Sequence, residues 1–265
     1  MRWSCAARSA RSHERASLRT RVRPATRSAD GGLVTYGEML EEMGLAPVYV
    51  RREASGQGQG GGGVVAREAS VGGDERIARI ARLGLDALAA DVAACTACRL
   101  CKTRQRAVPG VGDAHADWLF VGEAPGAEED ARGEPFVGQA GKLLDAMLAA
   151  LELDRTRNVY IANVLKCRPP NNRTPEPVEA SACEPYLARQ IELIAPKIIV
   201  ALGKSAATLL LGTEAPIASL RGRVHRHRGV PLVVTYHPAY LLRNLTDKSK
   251  AWDDLLLARR TVAAA

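Results

Sequence analysis

The chain has 265 residues, 46% of them hydrophobic but only 4% aromatic, and a formal charge of +8. This length holds one large domain or two small ones, and the apolar share suffices for a packed core. No stretch reaches the ~20 apolar residues of a membrane span and no apolar leader core is present, which argues against membrane insertion and secretion.

The charge is unevenly placed. Residues 1–29 hold eight of the 37 basic residues and one of the 29 acidic ones, Glu14, so the remainder carries 29 basic and 28 acidic residues. Beyond this tail the chain is nearly neutral, and any contact with nucleic acid must come from a local patch. The Arg, Ser and Ala content up to about Gly32 resembles an organelle transit peptide, and the plainer reading is an unstructured extension. A short helix is expected at 37–46, where Met39, Leu40, Met43 and Leu45 supply an apolar face. Residues 56–63 read as a Gly/Gln linker. Residues 1–70 are therefore read as an extension, and residues 74–262 as the globular domain.

The spacing of Ile77, Ile80, Leu83, Leu85, Leu88 and Val92 predicts one helix over 74–94, with Asp74 as its N-cap. That helix delivers Cys95 and Cys98. Four apolar runs bounded by Gly, Pro or Asn follow, at 118–122, 159–165, 198–203 and 232–236. Helical patterns lie between and after them, at 139–151, 175–194, 204–211 and 247–260. Strands that alternate with helices and read as unbroken apolar runs point to a parallel sheet covered on both faces. The fold class expected is α/β, a three-layer α/β/α sandwich on a mainly parallel four-stranded sheet. Ligands in such sheets bind beyond the carboxyl ends of the strands. Glu123 follows the first run, Asn163 lies within the second and His237 follows the fourth.

Five of the six cysteines cluster around motifs, and no secretory signal is present, which favours metal binding in a reducing compartment over a disulfide framework. Cys95-Thr96-Ala97-Cys98 closes a helix, whereas a redox pair of this spacing normally opens one. With Cys167 and Cys183 it makes a set of four thiolates, suited to zinc or to an iron–sulfur cluster, which spacing does not separate. Cys101 offers a substitute ligand.

Gly122-Glu123-Ala124-Pro125-Gly126 follows a strand but matches neither phosphate-binding glycine pattern, and Pro125 removes an N–H that a phosphate cradle would use. It reads as a tight turn that aims a carboxylate and amides into a pocket, with Glu128, Glu129 and Asp130 behind it. Acids grouped at one turn can position or activate water; the plainer reading is an acidic first helical turn. Phe136, between Pro135 and Val137-Gly138, offers a flat face for a base or else a core anchor. Asn163 sits among apolar neighbours, and its amide offers both a donor and an acceptor to a base edge. Asn172 reads as a supporting group behind the pocket or a loop cap, and is counted with Ala124, Glu129 and Phe136 among the substrate-binding residues. His237 can donate to a developing anion. Leu241 and Leu242 beside Arg243 suit a wedge with a phosphate contact. Residues 221–228, with Arg223 among them, form the basic patch that the charge balance requires, or a solvated hairpin.

In this order the motifs resemble those of the family 4 uracil-DNA glycosylases, the iron–sulfur branch of their superfamily. The match runs over about residues 75–260. It rests on Cys95-x-x-Cys98, Gly122-Glu-Ala-Pro-Gly126 with Glu128-Glu-Asp130, and Pro135-Phe-Val-Gly138. It continues through Asn163-Val-Leu-Lys-Cys167-Arg-Pro-Pro170, Asn172-Arg-x-Pro175, Cys183 and His237-Pro-Ala-Tyr-Leu-Leu-Arg243. The resemblance implies a [4Fe–4S] cluster on Cys95, Cys98, Cys167 and Cys183 and hydrolytic removal of uracil from DNA. It implies that Phe136 stacks on the flipped base, that Asn163 binds its polar edge and that His237 stabilises the departing anion at O2. Glu123 and the Ala124 amide would hold water, and Glu129 would guard against the thymine methyl. Arg223, Leu241, Leu242 and Arg243 are expected to face DNA. A related branch that traps the sugar covalently carries Gln in place of Ala124 and an added basic loop; this chain has neither. The expected partner is uracil-containing DNA, with a monomeric enzyme acting ahead of downstream repair proteins in the cytoplasm at the nucleoid. The alternatives are a non-catalytic iron–sulfur nucleic-acid-binding module associated with a polymerase, and a zinc-stabilised hydrolase of small nucleotides.

Overall fold

The structure, a computed structural model, describes residues 68–265. The expected extension, the helix at 37–46 and the linker at 56–63 lie outside the described residues. Two helices, α1 (Glu68–Ile80) and α2 (Leu85–Ala94), stand where one was expected. Gly84, with extended backbone at ψ 173, separates them. Glycine is a poor helix interior residue, and Gly84 stands as the N-cap of α2. Ile80, Leu88 and Val92 then pack around Tyr186.

Six strands form one sheet in the order β1-β3-β2-β4-β6-β5. They are β1 (Val111–Gly112), β2 (Trp118–Gly122), β3 (Val159–Asn163), β4 (Ile198–Leu202), β5 (Val224–His227) and β6 (Val230–Thr235). The four expected strands are the central, mutually parallel ones. The two additional strands pair antiparallel at the edges. Sequence reading missed β1 because two residues carry no period. It missed β5 because an edge strand exposed to water shows no apolar run. Residues 221–228 thus contribute to a hairpin, closed by Arg228 and Gly229 at φ 48 and 84. Two successive positive φ values give the turn whose twist matches that of its strands.

The helices that follow the sheet residues are α3 (Ala127–Arg132), α4 (Gln139–Ala150), α5 (Pro177–Ile194), α6 (Lys204–Leu211), α7 (Ile217–Leu220), α8 (Pro238–Leu241) and α9 (Lys248–Ala263). Alternate residues of the central strands face opposite layers. Leu119, Val121, Ile199, Ala201 and Val234 pack on α5 and α6 through Leu187, Ile191 and Ala207. Trp118, Phe120, Ile161, Val200 and Val233 pack on α4 and α9 through Leu144, Leu148 and Leu255. This is the expected three-layer sandwich, and burial on both faces explains the unbroken apolar runs. No helix among the described residues is long and apolar enough to cross a membrane.

Candidate active site

The strands deliver the expected residues to one end of the sheet. Gly122 and Asn163 are register partners at the carboxyl ends of β2 and β3. Pairing continues past them, with Val164 N donating to Gly122 O at 2.9 Å and Leu165 N to Glu123 O at 3.0 Å. Glu123 is thereby held beside Asn163. His237 follows β6 and caps α8. Glu123, Ala124, Glu129, Phe136, Asn163, Asn172 and His237 all line one cavity of about 450 Å³, together with Arg243. That volume suits a small ligand. A wider hollow of about 730 Å³ at the amino ends of β4 and β6 holds Lys197, Arg226 and Arg260 but no grouping of acid, amide and imidazole.

Asn163 is 2% exposed. Its Oδ1 is buried without a protein partner. Buried polar atoms are normally paired, so this acceptor marks a place where a ligand donor belongs. Gly122 has to lack a side chain here. A methyl on it would collide with Asn163 Oδ1 and lie 2.7 Å from Phe136 Cζ.

Phe136 holds a left-handed backbone at φ 54. Such strain in a bulky residue persists only where surroundings impose it, and it clusters at functional sites. Arg155 imposes it. Its Nη1 donates to Pro135 O at 2.9 Å and its Nη2 to Phe136 O at 2.8 Å. Sequence reading missed Arg155, which lies outside every motif. The Phe136 ring centroid is 5.5 Å from that of His237, with the planes 30° apart.

Ala239 N donates to His237 Nδ1 at 3.1 Å. That bond makes Nδ1 an acceptor and leaves the proton on Nε2. Burial pushes the His237 pKa down to about 4; Glu129 opposes this and Arg243 reinforces it. A neutral imidazole with one outward N–H results. Glu129 accepts from Gly126 N at 3.1 Å, Val137 N at 2.9 Å and Gly138 N at 3.2 Å. Its carboxylate ties the turn after β2 to the Phe136 loop. Asn172 accepts from Arg168 Nε at 2.7 Å in a loop where Asn171 and Asn172 are both left-handed, in keeping with a loop-capping group. Arg173 and Pro169 also line the cavity. Their signal was present in the same proline-rich loop.

The outer residues divide. Leu241 is 1% exposed and packs into the core, a correction to its reading as a wedge. The helical turn of α8 buries one of two adjacent leucines and exposes the other, Leu242, which is 43% exposed. Leu245, 63% exposed, stands three residues on and was not singled out. Arg223 is exposed just before β5, whose start pairs with the carboxyl end of β6. The rest of the basic run does not face the cavity as one patch. Arg221 bonds Asp254 at 2.7 Å and stacks on Tyr236 at 4.3 Å. Arg228 sits at the opposite end of the hairpin and pairs with Glu184.

Cys95, Cys98, Cys101, Cys167 and Cys183 line a second, small cavity beside α2 and α5. None forms a disulfide. Leu100, Leu165 and Ala180 pack with Cys167 and Cys183 in one apolar cluster, and Ala124 of the β2 turn packs on the same cluster. Arg104 Nη1 donates to Cys167 Sγ at 3.0 Å, and Arg76 Nη2 approaches Cys95 Sγ at 3.8 Å. Burial raises the Cys183 thiol to about 11, with Lys166 opposing, and lowers the Lys166 ammonium to about 8, with Cys183 and Cys167 opposing. A thiolate in so dry a place calls for a positive partner such as a metal centre. Among the described residues, no three His, Cys, Asp or Glu donors are close enough to share one metal ion. The cysteine sulfurs are donors of the kind that zinc or an iron–sulfur cluster takes. Glu179, also missed from sequence, braces this region. Its carboxylate binds Arg173 at 2.6 Å and Arg99 at 3.4 Å, and it caps α5 at Glu176 N.

Residues 109–256 match the family model of the uracil DNA glycosylase superfamily. The chain is 49% identical over 156 residues to the type-4 uracil-DNA glycosylase of Archaeoglobus fulgidus, covering 56% of this chain and 78% of that protein. It is 47% identical over 156 residues to the type-4 uracil-DNA glycosylase of Thermotoga maritima, covering 58% and 81%. A third relative, the type-4 uracil-DNA glycosylase of Sulfurisphaera tokodaii, is 48% identical over 159 residues, covering 57% and 72%.

Proposed function

The chain belongs to the type-4 uracil-DNA glycosylases of the uracil DNA glycosylase superfamily, and we propose that it hydrolyses the N-glycosidic bond of uracil in DNA, leaving an abasic site. The observation that carries this reading is the buried, unpartnered Oδ1 of Asn163, a residue that lines one cavity with Phe136, His237 and Glu123.

A base inside a duplex is out of reach, so the uridine turns out of the stack into the cavity. Phe136 stacks on its ring. Asn163 accepts from uracil N3–H and donates to O4, a pattern that cytosine does not offer. Glu129, fixed by three backbone amides, forms the wall on the C5 side and leaves no room for a methyl. The C1′–N1 bond breaks with its electron pair passing to the base. His237 Nε2–H donates to O2 as negative charge develops there, and the neutral imidazole keeps its proton available for that bond. Glu123 and the Ala124 amide hold water, whose oxygen adds to C1′ while its proton is released. Leu242 fills the gap in the stack, and Arg243 and Arg223 contact phosphate.

Cys95, Cys98, Cys167 and Cys183 would hold a [4Fe–4S] cluster, which when bound supplies a rigid cross-link and no redox step. The catalytic domain is assigned to residues 74–262, with action as a monomer.

The test is a strand-cleavage assay on a uracil-bearing oligonucleotide, with alkali to reveal abasic sites. Wild-type protein should cleave at uracil, and Asn163→Ala should retain iron but lose about 10²-fold or more in rate, the scale of a lost transition-state hydrogen bond. Intact uracil DNA, with equal affinity for uracil-containing and uracil-free strands, would favour a binding module.

A further inference from the structure

Lys166 lies between Asn163 and Cys167 in the second thiol motif and has been given no role there, yet it is 1% exposed and among the largest fully buried side chains. We propose that Lys166 is a positioning residue for Asn163, its ammonium fixing the end of β3 from the side of the thiol cage. Lys166 Nζ donates to Asn163 O at 2.7 Å and to Gln190 Oε1 at 2.6 Å. Gln190 is held in turn, its Nε2 donating to Pro109 O at 2.7 Å and lying 3.4 Å from Tyr160 OH. The chain of bonds runs from the loop before β1, through α5, to the main chain of the base-reading residue.

Both acceptors of the ammonium are neutral. A buried charge without a counter-charge is costly. Lys166 also lines the same cavity as Cys167 and Cys183. Cysteine thiolates holding a cluster there would supply the negative charge that this ammonium lacks in its hydrogen-bond partners. Lys166 therefore stands between cage and pocket and is anchored by both. The inference rests on the excision reading and on a loaded cage.

The experiment is a double-mutant cycle in single-turnover excision, using a uracil oligonucleotide and iron-loaded protein. Lys166→Met keeps the bulk of the side chain and removes the charge. Alone it should slow excision about tenfold or more, with binding to abasic product DNA changed less than about twofold. Its absorbance at roughly 400 nm, where iron–sulfur clusters absorb, should be retained. In an Asn163→Ala background the same substitution should change the rate less than about twofold, because residues that act through one another are not additive. A structural role would give additive losses, and that result overturns the inference. If Lys166→Met does not accumulate folded, Gln190→Met withdraws the other anchor and should show the same non-additivity. Loss of iron from both variants would make Lys166 part of the cage and also overturn the inference. Wild-type protein that leaves uracil in place overturns the excision reading and this inference with it; active wild type with additive losses overturns the inference alone.

Discussion

His237 shows how one backbone bond sets a side chain's chemistry. Ala239 N fixes the tautomer, and burial holds the pKa at about 4, below the 6.5 of an ordinary imidazole. The folded state binds fewer protons than the unfolded chain between these values. Stability from this residue is thus fully present above pH 6.5 and is lost as pH falls through 6.5 toward 4. The same shift keeps the imidazole neutral at mildly acidic pH. Labelled-histidine NMR should find a ring protonated only at Nε2 from pH 8 down to about 5, and excision should show no acid limb near 6.5. An inflection at 6.5 in both would show a solvent-like histidine. Asn163 was readable from sequence as a polar residue in an apolar run. That its Oδ1 has no partner, and that Gly122 makes room for it, was not.

At the scale of elements, α8 decides the fate of two neighbouring leucines. Leu241 faces the core and Leu242 faces outward. Leu241→Ala should destabilise the fold by about 2–5 kcal/mol in denaturant melts, as a truncated core leucine does. Leu242→Ala should leave stability within about 0.5 kcal/mol. It should slow excision from duplex more than from single strands, since only a duplex has a stack to fill. Equal loss on both substrates would remove the wedge role. The central strands were legible because two-sided burial writes itself as apolar runs. The edge strands were not, because β1 has two residues and β5 is stabilised by its partner and by the turn at Arg228-Gly229. The basic run at 221–228 reads as one patch in sequence and is divided by the hairpin, whose two ends lie at opposite ends of the sheet.

Over the whole molecule, the thiol cage and the base pocket share structure. Cys167 follows Asn163 by four residues, Ala124 packs on the cage, and Glu179 ties Arg99 beside Cys98 to Arg173 at the pocket. Loss of the cage should therefore displace pocket residues without removing a catalytic group. Purified protein should absorb at roughly 400 nm. Cys167→Ser or removal of iron should abolish both that band and excision. Full excision by iron-free protein would separate the two sites.

The amino-acid sequence by itself determined the alternation of strands and helices, the sandwich and the order of the motifs. These follow from periodicity and from residue types that local chemistry demands. It also determined which residues reach the carboxyl ends of the strands, because Glu123 and His237 lie directly after apolar runs and Asn163 interrupts one near its end. Only the tertiary structure decided which leucine is exposed and which arginines are already engaged. It alone revealed that Arg155 holds Phe136 and that Lys166 holds Asn163. Those roles depend on contacts between residues distant along the chain or across layers, and burial and partnership at such contacts leave no period in the sequence.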